Sequence, residues 1–198
     1  MVECKTNGNQ ISGYSTRDVP TALKRMELIS TFLYTVPGAK MLWMFYELGF
    51  DYSINDFGGR TSPKPAFWSA LSDPDRLRLF KVSANIIKLR TQYPSVFNTD
   101  QHNPADLAGA TWYHKHFHLS PAGGPFWVTI VGNFDVVNQT LPAYFQHTGT
   151  WYDYLSGQVV NVSNANMTFT LQPGEYHIYT NQQLPAPPEG YTDRKSVV

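Results

Sequence analysis

"TVPGAKMLWMFYELGFDYSIN", Thr35 to Asn55, opens on a Pro-Gly break, runs through seven nearly apolar residues and ends in polar, turn-forming ones. The run "AKMLWMF", Ala39 to Phe45, is apolar at almost every position after Lys40. That pattern suits a strand covered on both faces, as parallel strands are, although a buried helical turn looks the same at this length. Whatever it is, it has no second strand near it in the first 94 residues, and a parallel strand cannot stand alone.

On its N-terminal side, residues 1–17 are polar and aperiodic and read as a loop or frayed end. Asp18 then caps an expected helix from Val19 to about Thr35, with Pro20 in the first turn and Ala22, Met26, Ile29 and Leu33 on one stripe. On the other side, Tyr46 to Phe67 is rich in Gly, Asp, Ser and Pro. A connection of about 22 residues is far longer than the usual ~4–6, and such loops are mostly functional or disordered. Asp73-Pro74 opens a second helix reaching about Tyr93, with one stripe of Leu77, Phe80, Ala84 and Ile87 beside another of Leu79, Val82, Ile86 and Leu89. Tyr93-Pro94 stops it.

Beyond a polar stretch at Asn98–Gly109 the period changes from helical to alternating, which predicts a domain boundary. The strand candidates are Thr111–Leu119, Pro125–Gly132, Tyr144–His147, Gln158–Val162, Met167–Leu171 and Glu175–Thr180, a set that describes a small antiparallel sandwich. The expected division is 1–97, 98–184 and a Pro-rich tail at 185–198.

Composition narrows the function. Hydrophobic residues make up 42% and charged residues 15% of the 198, the balance of a folded chain. Fifteen Lys+Arg offset fifteen Asp+Glu, so no net field draws nucleic acid or an anionic membrane. Cys4 is the single cysteine and forms no internal disulfide. No apolar run approaches the ~20 residues of a membrane span, and the first ten residues lack the pattern of a signal peptide. Asn138, Asn161 and Asn166 stand in glycosylation sequons. Aromatic residues reach 15%; such side chains either stack on sugar faces or fill sandwich cores.

The order "DVPTALKRMELISTFLYTVPGAKMLWMFYELGFDYSIN", "GGRTSPKPAFW", "RLRLFKVSANIIKLRTQYPSVF" resembles the end of the catalytic barrel in the α-amylase family of glycoside hydrolases. "VGNFDVV…GTWYDYLSGQVVNV…LQPGEYHIYT" is similar to that family's C-terminal β-sandwich, so the likeness runs over about residues 18–184. It implies an α+β chain: a partial (β/α)8 barrel remnant, its last strand and outer helices, followed by an antiparallel β-sandwich. Ala39–Phe45 would be the eighth strand, and "YELGFDYSIN" would lie on the active-site face, where loops follow the C-terminal ends of strands.

The implied parent is a retaining enzyme that acts on α-linked glucans such as starch, glycogen and maltooligosaccharides. Its two catalytic carboxylates stand roughly 5–5.5 Å apart on other strands. None of their motifs occurs here, so no catalytic residue is assigned and the chain alone is expected to be inactive. Calcium, frequent in the family, would be held by segments outside this chain, and no cofactor or metal is assigned within it. The implied partner is an α-glucan, the implied parent secreted or periplasmic. The alternative is a non-catalytic α-glucan-binding sandwich module.

Candidate substrate-binding residues are Glu47, Asp51, Tyr52, Asp56 and Arg60. Glu47 stands where the family often has an acidic residue near the cleft floor, or it is a structural carboxylate bonded to loop amides. Arg60 can donate to sugar hydroxyls or pair with Asp51 or Asp56. Tyr52 and Trp68 can stack on a pyranose ring, or Trp68 can pack under the loop. Trp151 and Tyr152 form a candidate sugar platform, or else "GTWYDYLSG" is a hairpin whose aromatics pin the sandwich. His114, His116 and His118 share one strand face, spaced for zinc or simply solvated opposite Tyr113, Phe117 and Leu119.

Overall fold

The computed structural model describes residues 1–98 and 114–188. Helix α1 is Val2–Asn7, the strands β1 (Gln10–Ile11) and β2 (Tyr14–Ser15) make a small hairpin, and helix α2 is Val19–Thr35. Helix α3 is Pro74–Gln92 and α4 is Pro94–Phe97. The expected loop over residues 1–17 is thus partly regular. Thr16 ties it down, its amide and hydroxyl both donating to Asn9 O (3.1 and 2.8 Å).

Both long helices fall where their caps and periods put them, because those signals are local. Asp73 accepts from the amides of Asp75 (2.9 Å) and Arg76 (3.4 Å), while Asp18 makes no side-chain cap bond. The buried faces differ from the expected stripes. In α2, Ile29 is 41% exposed while Glu27, Ser30 and Thr31 are buried. In α3 the stripe of Leu79, Val82, Ile86 and Leu89 is buried, and Ile87 on its neighbour is exposed. Polar residues enter the interior where partners await them: Glu27 meets Arg78 Nε at 2.9 Å and accepts from the Tyr176 hydroxyl at 3.1 Å.

The expected strand Ala39–Phe45 does not form. Residues 39–43 have no regular structure, Gly38 and Phe45 have φ of +90° and +56°, and Met41 is 96% exposed. A strand exists only when a neighbour takes its backbone N–H and C=O groups, and no described strand lies alongside.

The second half contains β3 (His114–Leu119), β4 (Val128–Asn133), β5 (Gln139–Pro142), β6 (Gly149–Asp153), β7 (Val159–Val162), β8 (Thr168–Leu171) and β9 (Tyr176–Thr180). A five-stranded antiparallel sheet has the order β3-β4-β9-β6-β7, and β5 pairs with β8. Between them lies a core of Val131, Leu141, Phe145, Trp151, Leu171 and Tyr179. Tyr144–His147, expected as a strand, is irregular; Tyr144 has φ +53°. Its place is taken by β5 and β6, which sequence alternation missed. The predicted boundary segment falls mostly on residues 99–113, and most of the tail on 189–198, both outside the described residues.

The largest core belongs to neither half alone. Leu28 and Tyr34 of α2, Val82 and Ile86 of α3, and Ile130 and Ile178 of the sheet share one buried cluster. The architecture is α+β with antiparallel sheets and no closed barrel among the described residues.

Candidate functional site

The candidate residues Glu47 to Arg60 lie in a loop fastened at its root by Arg76 of α3. Its Nη1 donates to the carbonyls of Leu48 (3.0 Å) and Gly49 (2.7 Å), and its guanidinium carbon lies 4.9 Å from the Phe67 ring centre. Nη2 reaches Asp51 at 3.3 Å, and Lys5 of α1 meets the same carboxylate oxygen at 2.9 Å. Burial disfavours the charge on Asp51, but the Lys5 hydrogen bond and the two cations outweigh it and hold the carboxyl below its ordinary range. Asp51 is therefore an anchor of the loop.

Above this root the aromatic rings meet edge to face. Tyr52 lies 5.5 Å from Phe50 and 5.1 Å from Phe57, and Phe45 lies 4.9 Å from Trp68, centre to centre. Such geometry satisfies the ring quadrupoles and stiffens the loop. Much of the cluster faces water: Tyr52 is 44%, Phe57 46% and Trp68 60% exposed, as is the nearby Trp43 at 59%. Trp68 does not pack beneath the loop, because Phe67 occupies the inner position against Arg76. Next to the cluster is an open apolar hollow of about 380 Å³, lined by Met26, Trp43, Met44, Tyr46, Phe50 and Tyr52 among others.

The polar candidates separate into different roles. Asp56 accepts from the Ser53 amide at 2.8 Å and its carbonyl accepts from Lys64 Nζ at 2.8 Å, so it shapes the turn. Arg60 is exposed and pairs with neither Asp51 nor Asp56 among the described residues. Glu47 is half-buried in a 3₁₀ turn, Tyr46–Leu48, close enough to Tyr34 to help raise that phenol's pKa to about 12, a rise due first to burial. Asp51 and Asp56 are thus engaged as acceptors that hold the loop's own shape.

The candidate platform on the sandwich is corrected by burial. Trp151 has no exposed surface and its indole N–H donates to His147 O at 3.1 Å, so it presents no face to a sugar. Tyr152 beside it is half-buried. Strand alternation gave no warning of this, since Trp151 shares its face of β6 with Asp153, a carboxylate that the fold buries as well. His116, expected on a solvated face, is buried, 4.7 Å from the Tyr144 ring, and His118 Nε2 lies 3.4 Å from Ala143 O. Tyr113 lies outside the described residues, among which no group of three His, Cys, Asp or Glu is arranged to hold a metal.

Four participants were not among the sequence candidates: Lys5, Arg76, Phe57 and Trp43, the last read as part of a buried strand and found exposed. Lys5 and Arg76 act across 46 and 27 residues, distances over which sequence pattern carries no signal. Phe57 is displayed by its left-handed backbone, φ +60°, beside Gly58 and Gly59.

No family model and no curated protein sequence matches the chain. Its fold matches solved structures. AmyP in complex with maltose superposes with a TM-score of 0.60 at 14% identity, over 84% of this chain and 36% of that one. Pullulanase from Bacillus acidopullulyticus gives 0.59 at 19% identity, over 82% and 21%. The alpha-amylase from Geobacillus thermoleovorans complexed with acarbose gives 0.57 at 16%, over 83% and 34%. The chain thus spans about a third or less of the length of these structures and shares the fold of that portion.

Proposed function

We propose that this chain is the C-terminal portion of an α-amylase-type glycoside hydrolase acting on α-linked glucans, with the 43–68 segment contributing to the sugar-binding surface. The observation that carries this reading is the band of exposed rings, Trp43, Tyr52, Phe57 and Trp68, held on a loop pinned by Arg76 and Lys5. Flat apolar rings with polar neighbours such as Arg60 are the surface that pyranose faces and hydroxyls recognise. The fold match to enzymes solved with maltose and acarbose supports the same substrate class. The unpaired apolar segment at Met41–Trp43 is the place where the remaining strands of a barrel would join. The catalytic carboxylates are assigned to that remainder, as is any calcium, and Glu47 is assigned no proton-transfer role. A sugar seat on the sandwich finds no support, because Trp151 is enclosed.

The test is retention on insoluble starch together with reducing-sugar release. The chain alone should be retained and release no sugar, and Tyr52→Ala and Trp68→Ala should each weaken retention about three- to tenfold, the worth of one aromatic contact. Retention unchanged in both variants, or sugar release abolished by Glu47→Gln, overturns the proposal.

A further inference from the structure

Among the described residues, three other than glycine have a left-handed backbone: Phe45 (φ +56°), Phe57 (φ +60°) and Tyr144 (φ +53°). A side chain in that region crowds its own backbone, and the strain persists only where the surroundings hold it or packing offsets it. For Phe45 packing does so. Its half-buried ring has Phe50, Phe67 and Trp68 within 4.9–6.3 Å, centre to centre, and its carbonyl accepts from the amides of Leu48 (3.0 Å) and Phe50 (3.1 Å). Tyr144 lies against the buried ring of His116 at 4.7 Å. Phe57 has no comparable setting. It is nearly half exposed and belongs to none of the buried clusters, and among the described residues its one ring neighbour is Tyr52, itself exposed.

The turn around Phe57 holds its shape without the ring. On one side the Ser53 amide donates to the Asp56 carboxylate (2.8 Å) and the Asp56 amide to Ser53 O (3.0 Å). On the other, Gly58 O accepts from the Ser62 hydroxyl (2.7 Å), and Gly59 O accepts from the Ser62 amide (3.2 Å) and Lys64 Nζ (2.5 Å). Lys64 Nζ also donates to Asp56 O at 2.8 Å. All of these bonds come from the backbone or from other side chains. The left-handed course continues through Gly58 and Gly59, at φ +90° and +107°, where glycine meets no steric cost. Glycine would suit position 57 for the same reason, so the fold gains little from phenylalanine there.

We propose that Phe57 is a sugar-contacting residue whose backbone strain serves ligand binding and not the stability of the chain: the 53–64 turn holds the ring outward, beside Tyr52, where its flat face takes the apolar face of a glucose unit of an α-glucan. This rests on the sugar-binding reading above and adds to it that stability and retention pull in opposite directions at position 57. The ring contacts run from Trp68 to Phe45 (4.9 Å), Phe50 (6.3 Å), Tyr52 (5.5 Å) and Phe57 (5.1 Å), so Phe57 extends the series at the end away from Trp68. Strain at a position where the ring meets water, in a turn that other groups define, is the signature of a group placed for a ligand.

The experiment compares the full chain with Phe57→Gly, Phe57→Asn and Phe57→Tyr, measuring the urea midpoint and retention on insoluble starch. Glycine and asparagine both accept the left-handed region and carry no ring, and asparagine adds none of glycine's flexibility. In both variants the midpoint should equal or exceed that of the wild type while retention weakens about three- to tenfold, the worth of one aromatic contact. Phe57→Tyr, which keeps the ring, should restore wild-type retention. A midpoint that falls in both the glycine and asparagine variants means that the ring supports the fold, and overturns the proposal. Retention unchanged in those two while Tyr52→Ala and Trp68→Ala weaken it overturns this proposal and leaves the sugar-binding reading standing. A wild-type chain that starch does not retain overturns both.

Discussion

At the scale of single residues, Asp51 shows how an interaction between distant positions sets a local property. Its carboxyl is held below the ordinary 3.8 by Lys5 and Arg76 in spite of burial. A carboxyl with a lowered folded-state pKa contributes stability that is fully present above its unfolded value and is lost as the pH falls through its folded value. Asp51→Asn is therefore expected to lower the urea midpoint by a constant amount above about pH 5 and to converge on the wild type as the pH drops below 3.8. A gap that persists into strong acid contradicts the role given to the two cations. Sequence supplied Asp51 as a candidate for sugar contact or for pairing with Arg60. The partners it has, Lys5 and Arg76, come from two helices that sequence spacing does not relate.

At the scale of elements, what could be read was whatever depends on neighbours in the chain. Helix α3 begins at Pro74 because Asp73 supplies the cap and proline suits the first turn. Asp73→Ala should cost about 1 kcal/mol in denaturant unfolding, since the amides of Asp75 and Arg76 lose their acceptor; a change indistinguishable from zero would show that the solvent replaces it fully. Strands depend on partners instead. The apolar run at 39–45 has the composition of a strand and lacks a neighbour, so it stays irregular with Met41 in water. Gln139–Pro142 has little alternation to announce it, yet becomes β5 because β8 pairs with it from Thr168 to Leu171.

At the scale of the whole molecule, the helices and the sandwich are joined by more than a linker. The Tyr154 hydroxyl donates to Asn85 of α3 at 3.1 Å, with burial pushing its pKa up to about 12, and Arg25 Nη1 of α2 donates to Asp135 O at 2.7 Å. The two halves also approach closely at Gly132 of β4, where a side-chain carbon would stand 2.4 Å from Leu28 Cδ1 and 2.9 Å from Phe32 Cε2. Gly132→Ala is expected to push α2 off the sheet and to cost about 1–3 kcal/mol, as overpacking of a filled core does. Thermal unfolding followed by circular dichroism and by tryptophan fluorescence should shift together. A shift seen in only one of the two signals would mean that the helices and sandwich unfold separately.

By itself the sequence determined the helix ends, the polar loop between them, the change to β structure in the second half and the neutral, aromatic-rich character of the chain. These follow from dihedral preferences, caps and periodicities, which act over a few residues. Only the tertiary structure decided that Trp151 is enclosed while Trp68 is displayed, that Asp51 serves Arg76, and that Phe57 stands exposed on a left-handed backbone. Burial and charge pairing are properties of what the fold brings alongside a residue, and a strand, a buried ring or an ion pair has no meaning until its partner has arrived.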